Sequence, residues 1–212
     1  MILVPHMIGR PKDGLMAFCA EKCNCTQVAM TVFDAIGHVE ASKQYTFIHD
    51  YRWDAYAKNN PPPSIDDIRL AKKRGCVCLK FVRDPVDRFV SNYKRYRAHG
   101  IRSAAPDMSI DEFIGWLEKL RLLRYAPQSF VFDDHILSQA LYGETRDMWT
   151  EIIHVESFRD PKERERLESL YNLHIDPSWT SDHWVEGTFE LTDDQRERVM
   201  KVYAMDEAYI LK

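Results

Sequence analysis

The chain has 212 residues, enough for one domain with a buried core and short for two. Hydrophobic residues make up 45% and charged residues 29%, a balance that argues against disorder. The formal charge of -4 argues against a general nucleic-acid binder.

No stretch approaches the roughly 18 apolar residues of a membrane span. The segment Met1 to Gly9 is apolar but short, with no basic region ahead of it and no small-residue cleavage site, so a secretory leader is not expected. The five cysteines (Cys19, Cys23, Cys25, Cys76 and Cys78) are odd in number and read as reduced thiols. The expectation is a cytoplasmic chain forming a single domain over residues 1–212.

In chain order, Leu15 to Cys19 is an unbroken apolar run and reads as a buried strand. A loop from Ala20 to Cys25 follows. Thr26 to Ile36 then carries apolar residues at helical spacing, with Gly37 as its stop. Tyr45 to Ile48 reads as a second strand. Cys76 to Val82 is the clearest strand. Asp84 behind it is suited to cap a helix and Pro85 to open it, giving a helix from Pro85 through Tyr96.

Ser109 with Glu112 is a capping-box pattern that opens a helix to about Leu123. Asp133 to Leu141 also reads as helix. Trp149 to Val155 is a late strand, and Pro161 to Tyr171 a charged amphipathic helix. Thr192 with Gln195 is a second capping box, opening a final helix to about Ala208. Strands alternating with helices predict an α/β fold: a central, mainly parallel sheet flanked by helices. Ligands in such folds sit beyond the carboxyl ends of the strands, where Ala20–Cys25 and Arg83–Asp84 fall.

Two constellations carry chemistry. The first is Lys22-Cys23-Asn24-Cys25-Thr26-Gln27, between a predicted strand and a predicted helix. Amides at a helix start attract anions, Lys22 adds positive charge, and Thr26 offers a hydroxyl. The loop has no glycine, and Lys22 lies four residues before Thr26, so it is not the phosphate loop of Mg²⁺-nucleotide enzymes. The second is Arg83-Asp84-Pro85 followed by Arg88, Ser91 and Tyr93. Arg83 and Ser91 are suited to a phosphate through a charged fork and a hydroxyl. Arg88, four residues after Asp84, reads as its structural partner.

These segments resemble the two donor-binding motifs of the sulfotransferases that use 3′-phosphoadenosine 5′-phosphosulfate (PAPS), most nearly the carbohydrate (family 2) group. The second segment is similar to their 3′-phosphate motif. The Lys22 loop is similar to their 5′-phosphosulfate loop, with Glu21 standing where the family usually has Pro and with Gln27 and Val28 in place of an aromatic and a basic residue. Residues 190–206 resemble the family's closing helix. Of a family His before Pro-Gln, only Pro127-Gln128 is present.

The resemblance implies a P-loop-NTPase-like sulfotransferase fold and PAPS as donor without a metal. The acceptor would be a hydroxyl, on a carbohydrate or glycoconjugate. It places Lys22, Cys23, Asn24, Cys25, Thr26 and Gln27 on the 5′-phosphosulfate, and Arg83 and Ser91 on the 3′-phosphate. His49, after the second predicted strand, is the implied general base, with Asp50 its nearest rival. His183 reads as a further candidate contact, and His154 as a core histidine. Arg52, Trp53 and Tyr56 suit either a polar acceptor or a surface helix.

Three alternatives stand beside this reading. One is a nucleotide or small-molecule kinase, which calls for Mg²⁺ and a glycine-rich loop. Another is a zinc-stabilised binding module on Cys23, Cys25, Cys76 and Cys78, although both pairs are Cys-x-Cys rather than Cys-x₂-Cys. The third is a sulfotransferase fold that has lost activity.

Overall fold

A computed structural model describes residues 6–100, 104–120, 138–140, 144–179 and 189–204. The chain divides into two compact units, one of Met1–Val82 with Glu144–Asp182 and one of Arg83–Gly143 with His183–Lys212.

The first unit is built on a four-stranded sheet in the order β1 (Met7–Arg10), β2 (Leu15–Cys19), β3 (Val77–Val82) and β4 (Glu151–His154). β2, β3 and β4 are parallel, with Cys19 beside Phe81 and Val82 beside His154. β1, which sequence patterning did not reveal, runs antiparallel to β2 at the edge. The two strands approach closely, and Gly9 within β1 is needed there: its φ is 83°, and a Cβ would lie 2.1 Å from the Leu15 carbonyl oxygen.

All of β2 and nearly all of β3 is buried, which explains their unbroken apolar runs. The exception in composition is Lys80, 1% exposed. Its Nζ donates to both carboxylate oxygens of Glu144 at 2.5 and 2.7 Å, and the Trp149 indole N–H donates to the same carboxylate at 2.6 Å. A buried charge is tolerated only when paired and hydrogen-bonded in this way.

After β2, α1 (Cys25–Ala35) buries Val28, Ala29, Val32 and Phe33. α2 (Val39–Ser42) follows. The expected strand at Tyr45–Ile48 does not form. Residues 43–47 are turns and bends, and Ile48 opens a helical stretch made of α3 (Ile48–Asp50), a π-helical segment (Tyr51–Tyr56) and α4 (Ala57–Asn59). The aromatic residues that suggested a strand are used in ring packing instead. Tyr45 meets Tyr51 at 5.4 Å between centroids, and Phe33 of α1 meets both Tyr51 and Tyr56 at 5.1 Å. α5 (Ile65–Lys73) is opened by a reciprocal cap between Ser64 and Asp67.

In the second unit, α6 (Pro85–His99) starts as its sequence predicts. The Asp84 carboxylate accepts from the amides of Val86 and Asp87, and Pro85 takes the first helical position. α7 (Ile110–Leu120) is capped by Ser109 and Glu112. Back in the first unit, α8 (Pro161–Tyr171) has the predicted bounds. α9 (Asp193–Val202) in the second unit opens on the Thr192–Gln195 box. α6, α7 and α9 share a core that includes Phe89, Tyr93, Tyr96, Phe113, Val199 and Tyr203. Most of the predicted helix at Asp133–Leu141 lies outside the described residues, and residues 138–140 are not helical. Among the described residues no helix is long and apolar enough to cross a membrane.

Candidate functional site

Residues 20–24 leave β2 at the carboxyl end of the parallel strands and enter α1 at Cys25. Two residues of this short loop, Lys22 (φ 66°) and Asn24 (φ 54°), occupy left-handed backbone conformations. Asparagine tolerates that region. For lysine it costs on the order of 1 kcal/mol, so the surroundings must hold the shape. Part of that support is visible beneath the loop. The Cys23 amide donates to the Ala20 carbonyl at 3.2 Å, and the Cys19 thiol donates to the Cys23 carbonyl at 3.2 Å. Cys23 itself is fully buried.

No side chain caps the start of α1. Asn24, at the capping position, turns its side chain to Gln27 Oε1 at 2.5 Å rather than to the backbone, and no acidic residue stands in the first turn. Gln27 in turn donates to the Asp176 carbonyl at 2.9 Å, tying the helix start to the segment behind α8. An uncapped first turn bearing no negative charge attracts an anion.

His49 comes to this turn from α3. Its Nε2 is 3.4 Å from the Thr26 hydroxyl and 3.4 Å from the Cys25 sulfur. The imidazole packs edge-on against Phe47 at 4.9 Å. The sequence places His49 after a strand; in the structure it lies on a helix, with its ring at the start of α1. Asp50, its neighbour, is exposed.

Glu21 engages the same cluster, with Oε1 3.5 Å from His6 Nδ1 and Oε2 accepting from the Cys25 thiol at 3.5 Å. Burial, reinforced by the Glu21 charge, pushes the Cys25 thiol up to about 12, outweighing the opposing pull of Arg52 and Lys22. Cys19 is also raised, chiefly by burial. Both are therefore neutral thiols at physiological pH, and Cys25 is a hydrogen-bond donor rather than a nucleophile.

Arg83 and Ser91 belong to the second unit. Both Arg83 backbone groups are held by the buried Gln139, whose Oε1 accepts from the amide at 2.7 Å and whose Nε2 donates to the carbonyl at 2.8 Å. Arg83 and Ser91 are both half-buried, and Ser91 lies on α6. Arg88 is 1% exposed, with its guanidinium 5.8 Å from the Tyr203 ring centroid. His183 and Pro127-Gln128 lie outside the described residues.

No known family, curated protein or solved structure matches this chain. The cysteines of the zinc alternative are divided between the two ends of the sheet. Cys78 pairs with Met16 near the start of β2, whereas Cys23 and Cys25 follow its end at Cys19. Three strand residues alone span about 10 Å. Among the described residues no group of three or more His, Cys, Asp or Glu is placed to hold a metal ion. Burial, followed by the neighbouring Cys76, pushes the Cys78 thiol up to about 12, as suits a core cysteine.

His6, Gln139 and the Asp176 carbonyl were not found by sequence reasoning. Their roles depend on pairings at separations such as 149 residues for Gln27 with Asp176, and no local pattern marks them.

Proposed function

We propose that this chain is a PAPS-dependent sulfotransferase with a P-loop-like sulfotransferase fold, acting on an acceptor hydroxyl, most simply that of a carbohydrate. The observation that carries the reading is His49 Nε2 standing 3.4 Å from Thr26 Oγ1, at the uncapped first turn of α1 that follows a parallel strand and Lys22. A base and an anion-attracting turn are what transfer from a phosphosulfate to a hydroxyl requires. The residues of the first turn carry no carboxylate and the nearby thiols are neutral; Glu21, the carboxylate at hand, is engaged by the Cys25 thiol and lies by His6.

When bound, PAPS supplies an activated sulfuryl group. In this reading Lys22 and the amides of Cys25 and Thr26 hold the 5′-phosphosulfate and stabilise the charge that develops on its bridging oxygen. By the sequence resemblance, Arg83 and Ser91 are the residues assigned to the 3′-phosphate. His49 accepts the proton of the acceptor hydroxyl at Nε2 as the new oxygen–sulfur bond forms and the sulfur–oxygen bond to phosphate breaks. Adenosine 3′,5′-bisphosphate is released. The odd cysteine count accords with a cytoplasmic site of action.

Calorimetric titration with adenosine 3′,5′-bisphosphate in the presence of a chelator tests the reading. Wild type is expected to bind at micromolar order, with at least tenfold loss in Lys22→Ala and in Arg83→Ala. His49→Ala is expected to keep that affinity and, once an acceptor is found, to lose on the order of 10²–10⁴-fold in transfer rate, as is typical for removal of a general base. A folded wild type that ignores the bisphosphate but binds a Mg²⁺-nucleotide would turn the loop over to the kinase alternative.

A further inference from the structure

Glu21 places a negative charge in the loop that precedes α1, the loop read above as attracting an anion. Like charges in one site repel, so a carboxylate there calls for a reason. Its side chain is 12% exposed, and both oxygens are turned to protein groups: Oε1 lies 3.5 Å from His6 Nδ1, and Oε2 accepts from the Cys25 thiol at 3.5 Å.

The Cys25 sulfur stands between two acceptors. The Lys22 amide donates to the sulfur, so what Cys25 has to give is its single proton. Glu21 Oε2 at 3.5 Å and His49 Nε2 at 3.4 Å both lie within reach of it. These distances do not choose between them; charge does. A hydrogen bond to an ionised acceptor is roughly twice as strong as one to a neutral acceptor. The other charges around the cluster do not reverse that choice. Lys22 and Arg52 are positive and favour the ionised carboxylate, His6 faces its second oxygen, and Asp50, beside His49, is exposed. The thiol proton therefore sits with Glu21 and stays off His49 Nε2.

We propose that Glu21 is a positioning residue that holds the Cys25 proton away from His49 Nε2, so that this nitrogen meets the acceptor hydroxyl and not the thiol. The proposal rests on the reading of His49 as the base. Without Glu21 the thiol turns to the imidazole by rotation about Cβ–Sγ, and that bond must break before His49 can take the acceptor's proton. No proton is transferred to or from sulfur. The carboxylate at a position where the sulfotransferases usually have Pro thereby acquires a function.

The test is NMR of the His49 ring nitrogens in the full chain, assigned with His49→Gln, with no donor or acceptor present. It is run at mildly alkaline pH, where histidine is neutral. An unprotonated ring nitrogen moves upfield when it accepts a hydrogen bond. Glu21→Leu is expected to move Nε2 upfield by several ppm, and the same substitution in a Cys25→Ala background to leave it in place. Thr26, whose hydroxyl lies 3.4 Å from the same nitrogen, is common to all these proteins. Cys25→Ala alone is expected to leave the wild-type resonance where it is. Should Glu21→Leu not fold, that single variant decides: a downfield move means that the thiol proton already rests on His49. That result, an unmoved Nε2 in Glu21→Leu, or a shift that persists without Cys25 overturns the proposal and leaves the base reading standing. A wild-type ring that carries its proton on Nε2 overturns both, and the position of that resonance tells the two failures apart.

Discussion

The Cys25 thiol has His49 3.4 Å away and a Glu21 oxygen 3.5 Å away, an arrangement that on distance alone resembles an activated nucleophile. Electrostatics point the other way, since burial and the Glu21 charge both penalise the thiolate. Native Cys25 is therefore expected to resist iodoacetamide at pH 8, where an ordinary exposed thiol is alkylated readily. Glu21→Gln removes a raising influence, so it should lower the thiol's pKa and speed labelling at a fixed alkaline pH, read by mass spectrometry. Unchanged labelling would mean that the Glu21 charge does not reach the sulfur.

Lys80 offers a second test at this scale. Lys80→Met strands the Glu144 carboxylate and should cost about 3–5 kcal/mol in urea unfolding, much of it regained when Glu144→Gln is added. The chain reveals Lys80 as a charge inside an apolar strand, but Glu144, 64 positions away, is beyond any local pattern. The same divide runs through the candidate site. Residues 22–27 are contiguous and legible. His49 is expected behind a strand that does not form, and the helix in its place carries it to the same turn.

Among elements, helix starts were the most legible. The boxes at Ser109 and Thr192 match the familiar pattern with Glu or Gln at the fourth position, and both cap their helices. α5 uses the same chemistry with the shorter Asp67, and went unread. The Ser64 hydroxyl and amide both donate to Asp67 and hold its carboxyl below the usual range. A lowered folded pKa means stability that is present above the unfolded value, about 4, and lost as pH falls through the folded value. Asp67→Asn should therefore destabilise the protein by about 0.5–1 kcal/mol at pH 7, the usual size of a cap, and the difference should fade as the pH falls below about 4. Thermal unfolding of both proteins across pH 3–7 measures it. A constant difference would show that the carboxylate charge is not what matters. Tyr45–Ile48 failed for the opposite reason. A run of four apolar and aromatic residues fits a strand or a helix flank equally, and only the rings of Phe33 and Tyr51 decide between them.

At the scale of the molecule, three parallel strands with intervening helices were legible because buried strands read as unbroken apolar runs. The edge strand β1 and the division into two units were not. Nothing in composition marks the crossings at 82/83, 143/144 and 182/183. Neither unit is continuous in the chain, and β4 reaches β3 only after the residues of the second unit have intervened. A fragment ending at Gly143 lacks β4 and α8, so the apolar strand β3 becomes an open edge. That fragment is expected to aggregate or unfold without a cooperative transition, followed by circular dichroism and gel filtration. A soluble, cooperatively melting fragment would show that β4 is dispensable to the sheet.

The left-handed backbone at Lys22 and Asn24 has a bearing on adaptability. Glycines would reach the same shape without penalty, but they would also let the loop leave it. Side-chain-bearing residues there give up some folding stability in return for a loop shape that is hard to leave. On the proposed reading, a donor then loses little affinity to ordering the loop. The corollary is intolerance: a loop held in one shape would suit a narrow range of anions, and changes of specificity would have to begin in the residues that brace it.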